Sequence, residues 1–323
     1  MPKVFVSRPI PKAGIELLKN KGYEVVVNEK AADRAASEKE LIKGVEGADA
    51  LLAILTDKVT SVIMDKGLPT LKIIANYAVG FDNIDLEAAK SRSIMVTNTP
   101  GVLTDTVAEH TFALILSIAH RIAEADRFSK AGKYKAWGPE LLLGSDLSGK
   151  TLGVVGLGRI GSRVAHYATR GFDMKIIYTD VKQNLEFEQE FGAKFALSID
   201  ELLPECDFVS LHVPLLPSTF HLINEERLKK MKKTAYLINT SRGSVIDEKA
   251  LAKALKDCWI TGAAVDVFEF EPEITKDLKK LDNIILTPHI ASATRETRDK
   301  MAILAAQNII EALEGRTPPN LVK

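Results

Sequence analysis

Glycines at 156, 158 and 161 constrain this chain more than any other feature. They form a G-x-G-x-x-G pattern between an apolar run, Leu152 to Val155, and a stretch where Ile160, Val164 and Ala168 recur at helical spacing. A second apolar run, Lys175 to Tyr178, follows and leads into Asp180, 19 residues beyond Gly161. Glycine is common and so short a pattern arises by chance; the strand–turn–helix–strand context makes this one informative. In that context Gly156 permits a tight turn, Gly158 lets the backbone approach a pyrophosphate, and Gly161 allows close helix–strand packing. The helix start at Arg159 and Ile160 offers unpaired N–H groups and a positive dipole end to phosphates. Asp180 stands where a ribose 2′-hydroxyl needs an acceptor, and its charge would repel a 2′-phosphate. The motif therefore reads as a dinucleotide site that prefers NAD(H) over NADP(H), with Lys182 the one cation nearby.

At 323 residues the chain is long for one core and suggests two domains. Lys and Arg balance Asp and Glu at 43 each, so no net charge steers it toward nucleic acid or an anionic membrane. No segment approaches the roughly 18 apolar residues of a membrane span. The start, Lys3-Val4-Phe5-Val6, reads as a strand and not as a signal sequence. Cys206 and Cys258 follow no metal spacing and read as reduced, packed thiols of a cytoplasmic protein.

Short apolar runs alternate with amphipathic stretches along the chain, the rhythm of parallel sheets covered by helices. Lys3–Val6, Glu24–Val27, Ala50–Ile54, Lys72–Ala75 and Met95–Thr97 read as strands before the glycine motif. A helical stretch from Thr104 to about Ser129 interrupts the alternation. Six strands are then expected from Leu152 to Leu286, the number a complete dinucleotide-binding sheet uses. A long amphipathic helix, about Thr294 to Glu314, ends at Gly315 and has no sheet partner left in the second unit. The expected class is α/β, with two Rossmann-like, doubly wound parallel sheets. Residues 1–99 with 292–323 would form a discontinuous outer, substrate domain. Residues 100–291 would form the dinucleotide-binding domain, with ligands in a cleft between the lobes.

Three further sites follow expected strands, on the sheet edge where ligands bind. Arg242, in Thr240-Ser241-Arg242-Gly243, can present a planar charged fork to a carboxylate or carbonyl. Asp266 to Pro272 is an apolar strand running into acids; taken alone, such acids are more often solvated than catalytic. His289, in Thr287-Pro288-His289-Ile290, combines a strand exit, a bracing proline and a nearby candidate acid, as no other of the six histidines does. Together Arg242, Glu271 and His289 supply what reduction of a 2-oxo acid needs. The histidine delivers a proton near neutral pH, a carboxylate fixes its tautomer, and the arginine orients substrate and polarises its carbonyl.

These segments, with Asn76–Asp85, Asn98–Thr104 and His212-Val213-Pro214, resemble the D-isomer-specific 2-hydroxyacid dehydrogenase family across nearly the whole chain. Among its branches the glyoxylate/hydroxypyruvate reductases are the most similar. The resemblance implies catalytic roles for Arg242, Glu271 and His289; Glu269 competes, but the family's acid directly precedes the proline. It places Thr104, Val213, Pro214, Thr219, Thr240, Ser241, Asp266 and Ala291 along the cofactor with Arg242 and His289. Val79 and Gly80 match a loop whose N–H groups hold the substrate carboxylate, and Leu55 would meet the distal part of the substrate. It also implies a homodimer joined through the cofactor domains, with the apolar helix around His110 to His120 at the seam. Ala291 and Ser93 depart from the family by replacing frequent glycines. D-lactate and phosphoglycerate dehydrogenases and a cofactor-sensing corepressor branch share the motifs and are the alternatives. A formate-type relative would carry glutamine at 271.

Overall fold

The computed structural model describes residues 1–322 and divides the chain into two compact units, Met1–Leu103 with Ala293–Lys323, and Thr104–Ser292. Both boundaries fall slightly later than the sequence suggests, because the segment up to Leu103 still packs in the first unit.

The first unit holds five parallel strands: β1 (Lys3–Val6), β2 (Glu24–Val27), β3 (Ala50–Ile54), β4 (Ile73–Tyr77) and β5 (Met95–Thr97), in the order β2-β1-β3-β4-β5. The central strands β3 and β4 are apolar almost throughout because helices cover both faces. Those helices are α1 (Lys12–Asn20), α2 (Glu38–Val45), α3 (Ser61–Gly67) and α4 (Leu86–Ser91), joined by a later one from the far end of the chain. β4 runs two residues past the sequence expectation, so Asn76 lies inside a strand and fully buried.

The second unit begins with α5 (Thr104–Ala119) and α6 (Ile122–Lys130), which the sequence shows as one helical stretch. Arg121 breaks it in the left-handed region at φ 54°, its guanidinium held by Glu124 in two bonds of 2.8 Å. α5 buries Val107, Phe112, Leu114, Ile115 and Ile118 within its own unit, against α7 and the sheet. The helix expected at a dimer seam thus has most of its apolar side chains covered within the unit, with Leu116 half-buried and Ala113 exposed. Large exposed apolar side chains, Ile122, Tyr134, Trp137, Leu141 and Leu143, follow it in the chain.

Seven parallel strands follow: β6 (Thr151–Val155), β7 (Lys175–Thr179), β8 (Lys194–Phe195), β9 (Phe208–Leu211), β10 (Tyr236–Asn239), β11 (Gly262–Val265) and β12 (Ile284–Leu286). The sequence reading finds six; β8 is only two residues long, too short for a periodicity to register. Between strands lie α7 (Arg159–Phe172), α8 (Leu185–Phe191), α9 (Ile199–Leu202), α10 (Glu225–Lys230) and α11 (Glu248–Lys256). The order is β12-β11-β10-β9-β6-β7-β8, so the chain runs outward from β6 in one direction and returns to its other side at β9. Such a reversal opens a crevice beyond the carboxyl ends of β6 and β9. α7 buries Gly161, Val164, Ala165 and Ala168, a stripe at i, i+3, i+4 and i+7 offset by one from the expected Ile160 line.

The last helix, α12 (Arg295–Leu313), belongs to the first unit and packs on α1 and β4. A Cβ on Gly14 would lie 2.5 Å from the Ala302 carbonyl oxygen, which is why α1 and α12 can touch through backbone. α12 is buried on more than one face, at Met301, Ala302, Ala305, Asn308 and Ile309 among others, and so is less amphipathic than expected. The tail then returns beside β5, with Val322 N donating to Val96 O at 2.8 Å.

Candidate active site

The glycine turn lies at the strand-order reversal. Gly156 has φ +92°, and a Cβ there would sit 2.9 Å from the carbonyl group of His212 at the end of β9. A Cβ on Gly161 would lie 2.1 Å from the Gly156 oxygen, so only glycine lets α7 start this close to β6. Gly158 is exposed, and nothing lies within 4 Å of where its Cβ would be. No side chain caps the helix at Gly158, which leaves the first-turn N–H groups, at Arg159 and Ile160, open to an anion. Asp180, beyond β7, folds back on the turn: its carboxylate accepts from Leu157 N and from Val181 N, both at 2.6 Å. An open glycine, an uncapped helix start and an anchored carboxylate fit a dinucleotide.

At the exit of β9, part of His212 reaches the surface, yet its ring lies deep enough that burial lowers its pKa to about 4. It is therefore neutral at pH 7 and bonds Ser210 Oγ at 2.8 Å through Nε2. Val213 packs on the core of this unit. Thr219, expected along the cofactor, has its hydroxyl engaged within its own turn, donating to Pro214 O at 2.6 Å and accepting from Leu216 N at 2.8 Å. Thr104 is the first residue of α5.

At the exit of β10 the buried Asn239 organises the loop. Its oxygen accepts from Ser241 N and Oγ, at 3.0 and 2.7 Å, and its amide donates to Arg242 O at 2.9 Å. Sequence reasoning assigned Asn239 no role, although an Asn beside Ser at a strand end is a signal for such a turn. Thr240 faces α5, its hydroxyl 2.8 Å from that of Thr111. Arg242 is half-buried and donates from Nη1 to Ser241 O at 2.8 Å. A Cβ on Gly243 would fall 1.9 Å from the Phe268 carbonyl carbon, so the Arg242 loop and the loop after β11 touch backbone to backbone.

The loops after β11 and β12 bring Glu271 and His289 together. Glu271 Oε2 lies 2.9 Å from His289 Nδ1, and its Oε1 accepts from Phe268 N at 3.0 Å. A carboxylate on Nδ1 fixes that nitrogen as the protonated one and leaves Nε2 to exchange a proton. Glu269 is turned elsewhere, 2.8 Å from His221 Nε2. His289 sits in the left-handed region at φ 54°, a conformation invisible in the sequence. Its N–H donates to Asp266 O at 2.8 Å, and the fully buried Asp266 carboxylate accepts from Thr287 Oγ1, Ile290 N and Ala291 N at 2.6, 2.9 and 2.8 Å. Burial alone would raise the Asp266 pKa; hydrogen bonds from His110, Thr287, Ile290 and Ala291 outweigh it and hold the carboxyl below its usual range. The acid expected along the cofactor is thus the anchor of the histidine loop, and Ala291 contributes a backbone donor to it.

In the first unit, Val79 and Gly80 follow β4. Their carbonyls accept from Asn98 Nδ2 at 2.7 Å and Asn76 Nδ2 at 2.8 Å, and Asn76 is tied to Asn83. Sequence reasoning gave these asparagines no structural role. Leu55 is half-buried in the turn after β3, where the buried Asp57 accepts from Ile54 N at 2.8 Å. Ser93 takes the left-handed backbone, φ 55°, that a glycine would ordinarily supply. Of the two cysteines, Cys206 is buried beneath Gly153 and burial raises its pKa to about 12, whereas Cys258 is exposed and not packed as expected.

Residues 112–291 match the model of the D-isomer specific 2-hydroxyacid dehydrogenase, NAD binding domain. The chain belongs to that family. This dehydrogenase is 52% identical over 323 residues to a glyoxylate reductase of Thermofilum pendens, covering 99% of this chain and 94% of the relative. A glyoxylate reductase of Thermococcus litoralis is 51% identical, with 99% and 96% covered. Among solved structures, an NADPH-dependent glyoxylate/hydroxypyruvate reductase of Sinorhizobium meliloti, in complex with NADP and malonate, superimposes at a TM-score of 0.86. It is 30% identical, with 99% of this dehydrogenase and 96% of that chain covered. The dehydrogenase is an oxidoreductase acting on 2-hydroxy acids, with a nicotinamide cofactor held in its second unit. Among the described residues no helix is long and apolar enough to cross a membrane.

Proposed function

We propose that this dehydrogenase reduces glyoxylate or hydroxypyruvate, using NADH in preference to NADPH, with His289 as proton donor. The 2.9 Å pairing of His289 Nδ1 with Glu271, on a loop that abuts the Arg242 loop, carries the reading. When bound, the reduced nicotinamide supplies a hydride to the carbonyl carbon. His289, its Nδ1 held by Glu271, gives the Nε2 proton to the carbonyl oxygen as negative charge develops there, and takes it back in the oxidative direction. Arg242 orients the substrate and polarises its carbonyl. Val79 and Gly80, whose carbonyls are both held, are proposed to offer their N–H groups to the substrate carboxylate, and Leu55 to meet its distal part.

The cofactor preference rests on Asp180, whose charge is fixed at the glycine turn, where a 2′-phosphate would meet it. Lys182 is the nearby cation that would oppose this preference. A homodimer through the second unit is supported by the exposed Ile122, Tyr134, Trp137 and Leu143.

The test is turnover of purified protein with NADH and NADPH against glyoxylate, hydroxypyruvate, pyruvate and phenylpyruvate. Higher kcat/KM with NADH, and with glyoxylate and hydroxypyruvate than with pyruvate and phenylpyruvate, is expected. Oxidation of neither cofactor with any substrate refutes the reading. H289A should lose roughly 10²- to 10⁴-fold in kcat while binding NADH nearly unchanged. Lost NADH binding would instead make the histidine structural.

A further inference from the structure

The second unit contains a second histidine–carboxylate pair for which the reaction above has no use. His221 Nε2 lies 2.8 Å from Glu269 Oε1, and the pair is largely shielded, with 30% and 11% of the two side chains exposed. His221 holds a left-handed backbone, φ 47°, and its ring stacks on Phe220 with centroids 4.0 Å apart. Such a conformation in a histidine persists only where the surroundings hold it.

Three segments meet at this pair. The His221 N–H donates to Ser244 O at 2.8 Å, two residues past Arg242, and Ile223 N continues the pairing to Val245 O at 3.0 Å. Glu269 belongs to the turn that carries Glu271. Its N–H is fixed by the buried Glu248 at 2.8 Å, and its backbone nitrogen would lie 2.4 Å from a Cβ on Gly243. Within the same turn Glu271 folds back on Phe268 N. Glu271 thus faces His289 on one side of the turn, while Glu269 reaches His221 on the other.

We infer that the His221–Glu269 pair is a positioning device: it locks the loop bearing Arg242 to the turn bearing Glu271, and so sets the substrate-orienting fork relative to the proton-donating histidine. The inference rests on the reading of Arg242, Glu271 and His289 given above. Neither His221 nor Glu269 needs to touch substrate for this. A hydrogen-bonded pair shielded from water keeps two loop segments in register, and small displacements of reacting groups are expensive in rate, up to about 10²-fold for an ångström. The backbone contact at Gly243 brings the two loops together, but the side-chain pair fixes their rotation about it.

H221F keeps a ring to stack on Phe220 and removes the bond; E269Q keeps the shape and removes the charge; H221Q keeps a donor at the position of Nε2. With glyoxylate and NADH, H221F should lose roughly 10- to 100-fold in kcat/KM, split between a higher KM, from Arg242, and a lower kcat, from Glu271. E269Q should lose less than H221F. The double variant should be little worse than H221F alone, as for residues acting as one unit. H221Q should recover most of the rate. NADH affinity, read by fluorescence quenching, should stay within about twofold, which reports an intact cofactor turn. The inference is overturned if H221F retains kcat/KM within about twofold. It is overturned equally if H221F loses thermal stability while H221Q does not restore the rate. H289A, assayed in parallel, separates the outcomes: an active H289A removes the underlying reading, whereas an inactive H289A beside a fully active H221F removes the positioning role alone.

Discussion

Replacing Asp266 by asparagine should unseat His289 while leaving the fold standing. The carboxylate holds the 287–291 loop by three bonds of 2.6 to 2.9 Å, and that loop keeps His289 at φ 54°. A left-handed residue with a side chain costs about 1–2 kcal/mol. Bonds to a charged acceptor contribute about 1.5–3 kcal/mol each, against about 1 kcal/mol for neutral ones. Asparagine can keep its oxygen on Thr287 and Ile290 but sets an amide against Ala291 N–H. One charged bond is lost and two are weakened, about 4 kcal/mol in all, which exceeds the conformational penalty the anchor opposes. Removing a buried charge recovers part of this, so net destabilisation should be only about 1–3 kcal/mol by urea melts. In turnover with NADH and glyoxylate, D266N should lose about 10²-fold in kcat with NADH binding nearly intact. A kcat within about threefold of wild type would refute the anchoring role. So would a loss confined to the KM for NADH, which would put the carboxylate on the cofactor. The pH dependence has a definite sign. The folded carboxyl titrates below its unfolded range, so its stabilisation is present above about pH 4 and lost as pH falls through the lower, folded value. The stability gap between wild type and D266N should stay constant from neutrality down to about pH 5 and close only in stronger acid.

G158A should leave the melting temperature unchanged, because φ is −72° and its Cβ points into open space, while raising the Kd for NADH about tenfold or more by obstructing backbone approach. G243A meets the Phe268 backbone at 1.9 Å and should destabilise the protein by about 3 kcal/mol or more in chemical denaturation, with a large loss of kcat/KM as the Arg242 loop is pushed from the Glu271 turn. His212 titrates near 4 when folded and near 6.5 when unfolded, so the unfolded state binds more protons between these values. Its contribution should therefore fall by up to about 3 kcal/mol as pH drops from 7 to 4, and H212N should flatten that slope in urea melts.

Much of this was legible in the residues. Two of the three glycines carry their geometry with them: a positive φ at 156 and a backbone contact at 161 are demands only glycine meets, while 158 stands in open space that a cofactor's approach would use. The strand exits at Arg242, Glu271 and His289 could be placed because short apolar runs end there. What could not be read depends on contacts distant in sequence. Nothing local marks Glu269 for His221, Asp266 for the backbone at 290 and 291, or Asn98 for Val79. The break at Arg121 was missed because its cause is one backbone angle inside a stretch of good helix formers. β8 was missed because two residues cannot show a period.

The last helix and tail have a consequence for how the protein is made. The first unit needs α12 against β4 and α1, with Gly14 on Ala302, and it needs Val322 beside Val96. A ribosome that has released residues 1–292 has delivered every strand of the second unit but not the cover of the first. Domains ordinarily acquire structure from the N-terminus onward during synthesis. Here the interrupted architecture reverses that order: the cofactor unit can close first, while the earlier-made sheet waits with its β4 face bare. That exposed apolar interval is where chaperones would act on this chain, and deleting residues 295–322 should leave insoluble protein in place of an active core.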